Sequence, residues 1–194
     1  MSQLSNFYLI SYNSLQFLGW AISLFFILRS FISTKSFNGA YASSGDFISL
    51  LQAVSFLEVL HGAIGLVPSG MLLPLMQWSG RTNFLFAILR QIVEVQELPS
   101  VFITFLAWSL SEVIRYSHYA LSRLGICPFW LSYLRYTAFI VLYPIGVFTG
   151  EMWLMYEALP FIKKKNLFDW LPFSFDSSVK VLLVCYPFIK LEEG

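Results

Sequence analysis

The side chains able to do chemistry in this chain fall inside long apolar stretches. They are Glu58 and His61; Gln77 and Arg81; Arg90 and Glu94; Glu112, Arg115 and Tyr116; and Arg135, Tyr136, Tyr143 and Glu151. Ionisable groups at membrane depth are costly and face the bundle interior, so each is a functional hypothesis by default. Glu58 and His61 are three apart, and Gln77 and Arg81, like Arg90 and Glu94, are four apart, so each pair shares a helical face. Pairing of Glu58, Glu112 and Glu151 with Arg90, Arg115 and Arg135 explains any one of these residues as well as catalysis does. It explains the set less well. Interhelical polar contacts stabilise membrane bundles by only ~0.6 kcal/mol on average. So much buried charge points to a polar cavity with a substrate in it.

Several chemistries are absent from the pattern. There is no HExxH, no P-loop, no GxGxxG and no plausible Ser-His-Asp set. His61 as a metal ligand competes with the commoner arrangement, a histidine bonded to Glu58 or a carbonyl; no metal is expected. His118, near the end of its span, reads as interfacial. Cys127 and Cys185 have no CxxC spacing and read as unreactive apolar side chains. A net charge of +1 argues against a nucleic-acid partner.

The elements that must position these groups are membrane helices. The chain has 194 residues, 57% hydrophobic and 12% charged, about half the charge of a typical soluble domain. Too little polar surface remains to cover such a chain, so lipid is its solvent. Apolar runs long enough to span fall at 9–32, 47–67, 71–93, 100–121 and 131–159. Pro68 closes the second and Pro160 the fifth. The third is interrupted by Pro74, Gly80 and Arg81, which puts its start as late as Thr82. A sixth begins near Val179 and loses apolar character at Lys190, short or truncated before the final KLEEG. The reading is an all-α, polytopic membrane helical bundle: five full transmembrane helices plus that sixth, in one domain over 1–194. MSQLSNFYLI has no basic n-region, so the first span is expected to remain as an anchor rather than leave as a signal peptide. Arg29 and Lys35, with Lys163, Lys164 and Lys165, fall on one side of such a bundle, which positive-inside counting makes cytoplasmic; Arg81 and Arg123 pull weakly the other way.

The stretch YPIGVFTGE, 143–151, is poor helix material. Pro144 frees the carbonyl of Ile140 and bends the span. Gly146 and Gly150 let a neighbouring helix approach closely. The wall of a buried site suits these features better than a plain anchor does.

Together the motifs resemble the 3-hydroxyacyl-CoA dehydratases of fatty-acid elongation, the protein tyrosine phosphatase-like or Pasticcino family, and look closest to its plant members. The resemblance covers nearly the whole chain. It rests on YNSLQFLGW (12–20), LEVLHGAIGLVPS (57–69), Gln77 with Arg81, EVIRYSHYAL (112–121), LRYTAFIVLYPIG (134–146), ALPFIKKKNLF (158–168) and, more weakly, PFSFD (172–176). It implies a six-helix, multi-pass enzyme of the endoplasmic reticulum membrane. The enzyme would convert a very-long-chain (3R)-3-hydroxyacyl-CoA to the trans-2-enoyl-CoA. Its implied partners are the acyl-CoA substrate, the lipid bilayer and other elongase components (condensing enzyme, ketoacyl-CoA reductase, enoyl-CoA reductase). The resemblance assigns catalysis to Tyr143 and Glu151 and support to Glu58, Gln77, Arg81, Arg135 and Gly146; His61 and Arg115 join this set on their polar placement. Phosphatase chemistry is excluded at His61–Pro68, which has neither the cysteine nor the arginine it needs.

Dehydration takes a proton from C2 and gives one to the departing C3 hydroxyl. Glu151 is the natural base and Tyr143 the natural donor, though the roles are exchangeable. No cofactor is required, since nothing is oxidised. Arg115, Arg135 or a backbone amide freed near Pro144 would face the thioester oxygen. One departure stands out. The family spaces its tyrosine and glutamate seven apart, and here the spacing is eight. In an α-helix seven residues return to within about 20° of one face, whereas eight swing about 80° past it. Either a π-bulge absorbs the extra residue, which is the favoured reading, or the chain is a weak or inactive paralogue. An inactive membrane scaffold of the elongase complex is therefore the alternative function. A small transporter is a third, disfavoured by the lack of paired discontinuous repeats.

Overall fold

The computed structural model describes residues 3–168, 174–181 and 183, and all regular structure among them is helical. Helix α1 is Gln3–Thr34. Helices α2 (Ala40–Val54) and α3 (Phe56–Ala63) form one rod broken at Ser55. Helix α4 (Leu72–Thr82) runs into a π-helical segment, Asn83–Leu89, and then a short 3-10 turn, Val93–Val95. Helix α5 is Pro99–Leu124. The last rod is α6 (Phe129–Pro144), a second π-helical segment (Ile145–Met152) and α7 (Trp153–Lys165).

The five rods alternate in direction because their connections are short. Tyr12 and Phe31 of α1 meet Tyr116 and Phe102 of α5, so these two run antiparallel. Gly62 lies against the backbone of Gly70, which brings α3 and α4 together at their shared loop. At the opposite end Lys165 Nζ donates to Glu94 at 2.7 Å, a bond that holds this exposed carboxyl below the ordinary carboxylate range. That end is packed dry by Ile27, Ile48, Leu89, Ile92, Val101, Ala158 and Ile162. Helix α5 lies at the centre, against α1 on one side and the second π-segment on the other.

Among the described residues three rods are long and apolar enough to cross a membrane: Gln3–Thr34, Ala40–Ala63 and Phe129–Lys165. Their outer faces carry exposed Leu15, Leu18 and Phe25 of α1 and Phe129, Trp130, Ile140, Phe148 and Trp153 of the last rod, a surface suited to lipid. Helix α5, at 26 residues, is long enough, but its functional face carries Glu112 and Arg115 and lowers its apolar content.

Several boundaries differ from expectation. Pro160 does not close the last rod, which continues to Lys165. A proline removes one hydrogen bond, and the burial of Ala158 and Ile162 on either side outweighs that loss. The second rod ends at Ala63, before Pro68, and Gly65 turns the chain in a left-handed conformation. The third begins at Leu72 rather than Thr82; Pro74 lies in its first turn, where no N–H is needed. Helix resumes at 175, four residues before Val179. The remainder of the sixth span, Cys185 and KLEEG lie outside the described residues.

Candidate active site

Helix α5 sets the site. Thr104, Trp108, Glu112, Arg115 and Tyr119 follow one another at three- and four-residue spacing, which lays them along one face. From Trp108 onward that face looks into a cavity of about 790 Å³ that runs from Val67, Pro68, Ser69, Ser122, Arg123 and Arg135 inward to Trp108 and Glu151. Tyr143, Glu151, Glu58, His61, Gln77, Arg81, Arg115, Arg135 and Gly146 all line it. The structure therefore gathers these nine residues around one space, whereas Arg90, Glu94, Tyr116 and Tyr136 do not line it.

Where α3 and α4 face α5 the wall is ionic. Arg81 bonds Glu112. Arg115 Nε donates to the other oxygen of Glu112 at 2.6 Å, and its Nη1 donates to Glu58 at 2.7 Å. The charges alternate along Arg81–Glu112–Arg115–Glu58 and sum to zero. Burying charge is expensive unless each is paired and hydrogen-bonded, and here each is. Glu58 also accepts from the hydroxyls of Tyr116 and of Tyr12, the latter at 3.2 Å, and Gln16 donates to Tyr12 at 3.3 Å.

Pairing expectations are corrected here. Among the described residues Glu151 bonds Trp108 and no arginine. Arg90 reaches Asp46 at 3.5 Å, and Glu94 takes Lys165, so Arg90 and Glu94 do not pair along their shared face. Glu94 sits in the 3-10 turn, outside the helix that the four-residue spacing presumed. His61 is buried and hydrogen-bonded to the Tyr8 hydroxyl at 2.9 Å, with Tyr8 and Tyr12 edge-on to its ring, rather than to Glu58 or a carbonyl. Arg115 spends four of its five N–H donors on Glu58, Glu112 and Tyr116, which leaves one for a substrate oxygen. Arg81 and Arg135 each keep a buried Nε without a partner among the described residues.

The other wall comes from the last rod. Pro144 ends α6, and the segment after it is π-helical over Ile145–Met152. A π-helix closes i→i+5 hydrogen bonds and absorbs one residue, so Tyr143 and Glu151 line the same cavity although eight apart. Gly146 and Gly150 make the approach to α5 possible. A Cβ on Gly146 would stand 3.1 Å from the Ala107 Cβ, and one on Gly150 would stand 2.5 Å from Thr104 Oγ1. Glu151 arrives beside Trp108, whose indole N–H donates to Oε1 at 2.7 Å. Oε2 is buried with no hydrogen-bond partner among the described residues. Among the described residues no group of three metal-binding side chains is assembled.

Sequence reasoning left Tyr8, Tyr12, Gln16 and Trp108 out of the site and used Glu112 as an ion-pair partner without assigning it a role there. A signal for Trp108 existed, since it precedes Glu112 by four on an ionic helix face. Tyr12 heads one of the stretches that carried the resemblance.

Comparison with known proteins identifies the family. Residues 52–191 match the family model described as protein tyrosine phosphatase-like protein, PTPLA. Very-long-chain (3R)-3-hydroxyacyl-CoA dehydratase 2 of Mus musculus is 37% identical over 189 residues, covering 95% of this chain and 74% of the relative. Its Homo sapiens counterpart is 36% identical over 193 residues, 97% of this chain and 76% of the relative. Very-long-chain (3R)-3-hydroxyacyl-CoA dehydratase PASTICCINO 2 of Arabidopsis thaliana is 35% identical over 190 residues, 95% and 85% of the two chains. No solved structure matches the chain. With the family model spanning well over half the sequence and relatives above 30% identity along most of it, the chain belongs to the protein tyrosine phosphatase-like family, PTPLA.

Proposed function

We propose that this protein removes water from a very-long-chain (3R)-3-hydroxyacyl-CoA to give the trans-2-enoyl-CoA. The relatives' shared activity supports this reading. The observation that carries it is the meeting of Tyr143 and Glu151 on one cavity through the π-segment. Glu151 takes the C2 proton as the electrons form the C2–C3 double bond. The C3–O bond breaks, and Tyr143 supplies the proton that lets the hydroxyl leave as water. Proton return from Glu151 to the Tyr143 phenolate closes the cycle. Each acid–base group contributes typically 10²–10⁴-fold. Charge on the thioester oxygen is met by Arg81 or Arg135, whose Nε groups have no other partner.

The reading extends to the whole molecule. Residues 1–194 act as one membrane domain in the endoplasmic reticulum, with five spans and a sixth begun at 175. The rod that holds α4 and the one formed by α5 count as spans because Arg81, Glu112 and Arg115 face the cavity and not lipid. The enzyme works beside a condensing enzyme, a ketoacyl-CoA reductase and an enoyl-CoA reductase, which make its substrate and consume its product.

Purified full-length protein is assayed with a (3R)-3-hydroxyacyl-CoA, alongside Tyr143→Phe and Glu151→Gln. Loss of at least about 100-fold in each variant is expected. Full turnover in either removes that residue from the mechanism. No turnover by the wild type, with elongase proteins still co-purifying, makes the chain a scaffold.

A further inference from the structure

Two buried indoles of this chain are treated differently. Trp20 and Trp108 are 1% and 3% exposed. The Trp20 N–H has no hydrogen-bond partner, whereas that of Trp108 is spent on Glu151. We propose that Trp108 is a positioning residue for the dehydration: its N–H holds Glu151 Oε1 and so presents Oε2 as the atom that takes the C2 proton. The proposal rests on the dehydratase reading and deepens it.

The indole is itself held still. Phe84 meets it edge-on with ring centroids 5.5 Å apart, and Phe105 lies at 6.5 Å. The Arg81 guanidinium sits 4.8 Å from the ring centroid and is anchored by Glu112. A cation over an aromatic face is attracted to the ring and draws electron density toward itself, which makes the N–H a stronger donor. Arg81 thereby acts on Glu151 without touching it.

The choice of donor matters chemically. An arginine at this place would pair with the carboxylate and blunt it as a base. An indole N–H is a donor only, so it orients Glu151 without competing for the proton. Glu151 is 2% exposed, and its second oxygen has no partner. A buried polar atom left unpaired calls for an explanation, and a substrate C–H presented to it is one.

The test uses the full-length protein with Trp108→Phe, which keeps an aromatic ring and loses the N–H, and Trp20→Phe as the control. Trp108→Phe is expected to lower kcat about 100-fold, as displacement of a reacting group by an ångström does. KM should stay within about twofold, since ground-state binding is untouched. The primary isotope effect with substrate deuterated at C2 should rise in Trp108→Phe, because only C2–H cleavage is impaired; lost packing alone would leave it unchanged. Trp20→Phe should match the wild type. Wild-type kcat with an unchanged isotope effect in Trp108→Phe overturns the proposal. A second measurement does not depend on that variant folding or on turnover. The indole ¹⁵N–¹H resonance of Trp108 is expected to move in Glu151→Gln, and a resonance that stays put overturns the contact. A wild type without turnover overturns the dehydratase reading instead, and the assigned role falls with it.

Discussion

The two π-segments of this molecule bury the same positions and use them differently. In Asn83–Leu89 the buried residues are Phe84, Leu85, Ile88 and Leu89. In Ile145–Met152 they are Gly146, Val147, Gly150 and Glu151. The offsets are identical, two adjacent residues and then the two that follow four later. The first segment fills all four places with large apolar side chains and builds core. The second gives two to glycine, so that α5 closes in at Ala107 and Thr104, and one to a carboxylate. Both reach Trp108, the first through the Phe84 ring and the second through Glu151. A widened helical turn is thus a way of turning residues inward, and side-chain chemistry decides whether it makes a core or a site.

The sharpest way to break this contrast is to add a residue. One alanine inserted after Thr149 swings Glu151 about 100° from the cavity wall. Turnover is expected to fall at least about 100-fold, while detergent-solubilised protein still elutes as a folded species. Retained activity would mean that the helix slips and that register does not matter. Ile88→Ala empties a fully buried place in the first segment. It should cost about 2–5 kcal/mol of stability, read from thermal unfolding, and leave KM unchanged. A raised KM would make the first segment part of the site. Gly150→Ala puts a methyl on Thr104 and should cost about 1–3 kcal/mol by overpacking, with kcat lowered as the rods separate. Gly146→Ala, with more room beside Ala107, should cost less, and the reverse order would contradict the packing. The smallest effect belongs to deletion of Thr149, whose side chain is exposed and bonds only the Ile145 carbonyl at 2.6 Å. It restores the seven-residue spacing, so the turn relaxes to an α-helix and activity should stay within about tenfold of wild type. Complete loss would show that the π-geometry itself is required.

Much of the site was legible before the fold. Polar residues in apolar runs marked Glu58, His61, Gln77, Arg81, Arg115, Arg135, Tyr143 and Glu151, because charge is placed in such runs only where it meets a partner or a substrate. The partners were not legible. Arg81 answers Glu112, 31 residues later in sequence, and Arg115 bridges to Glu58, 57 residues earlier. Spacing shows which residues share a helix face, but pairing between helices depends on rotation and depth, which no local pattern encodes. Trp108 was missed for the same reason: an apolar-looking residue became polar in function only when Glu151 was brought to its N–H.

The sequence by itself determined that this chain is helical, that lipid is its solvent, and that a tyrosine and a glutamate eight apart pose a register problem. Those properties follow from hydropathy, helix period and motif, which are local. Tertiary structure alone decided how the problem is solved. Whether an extra residue opens a π-turn or rotates the rest of the helix depends on which option buries more. Here the close seat of Gly146 and Gly150 on α5, and the buried Leu154, Met155 and Ala158 beyond them, hold both halves of the rod in register and leave the turn between them to take up the difference.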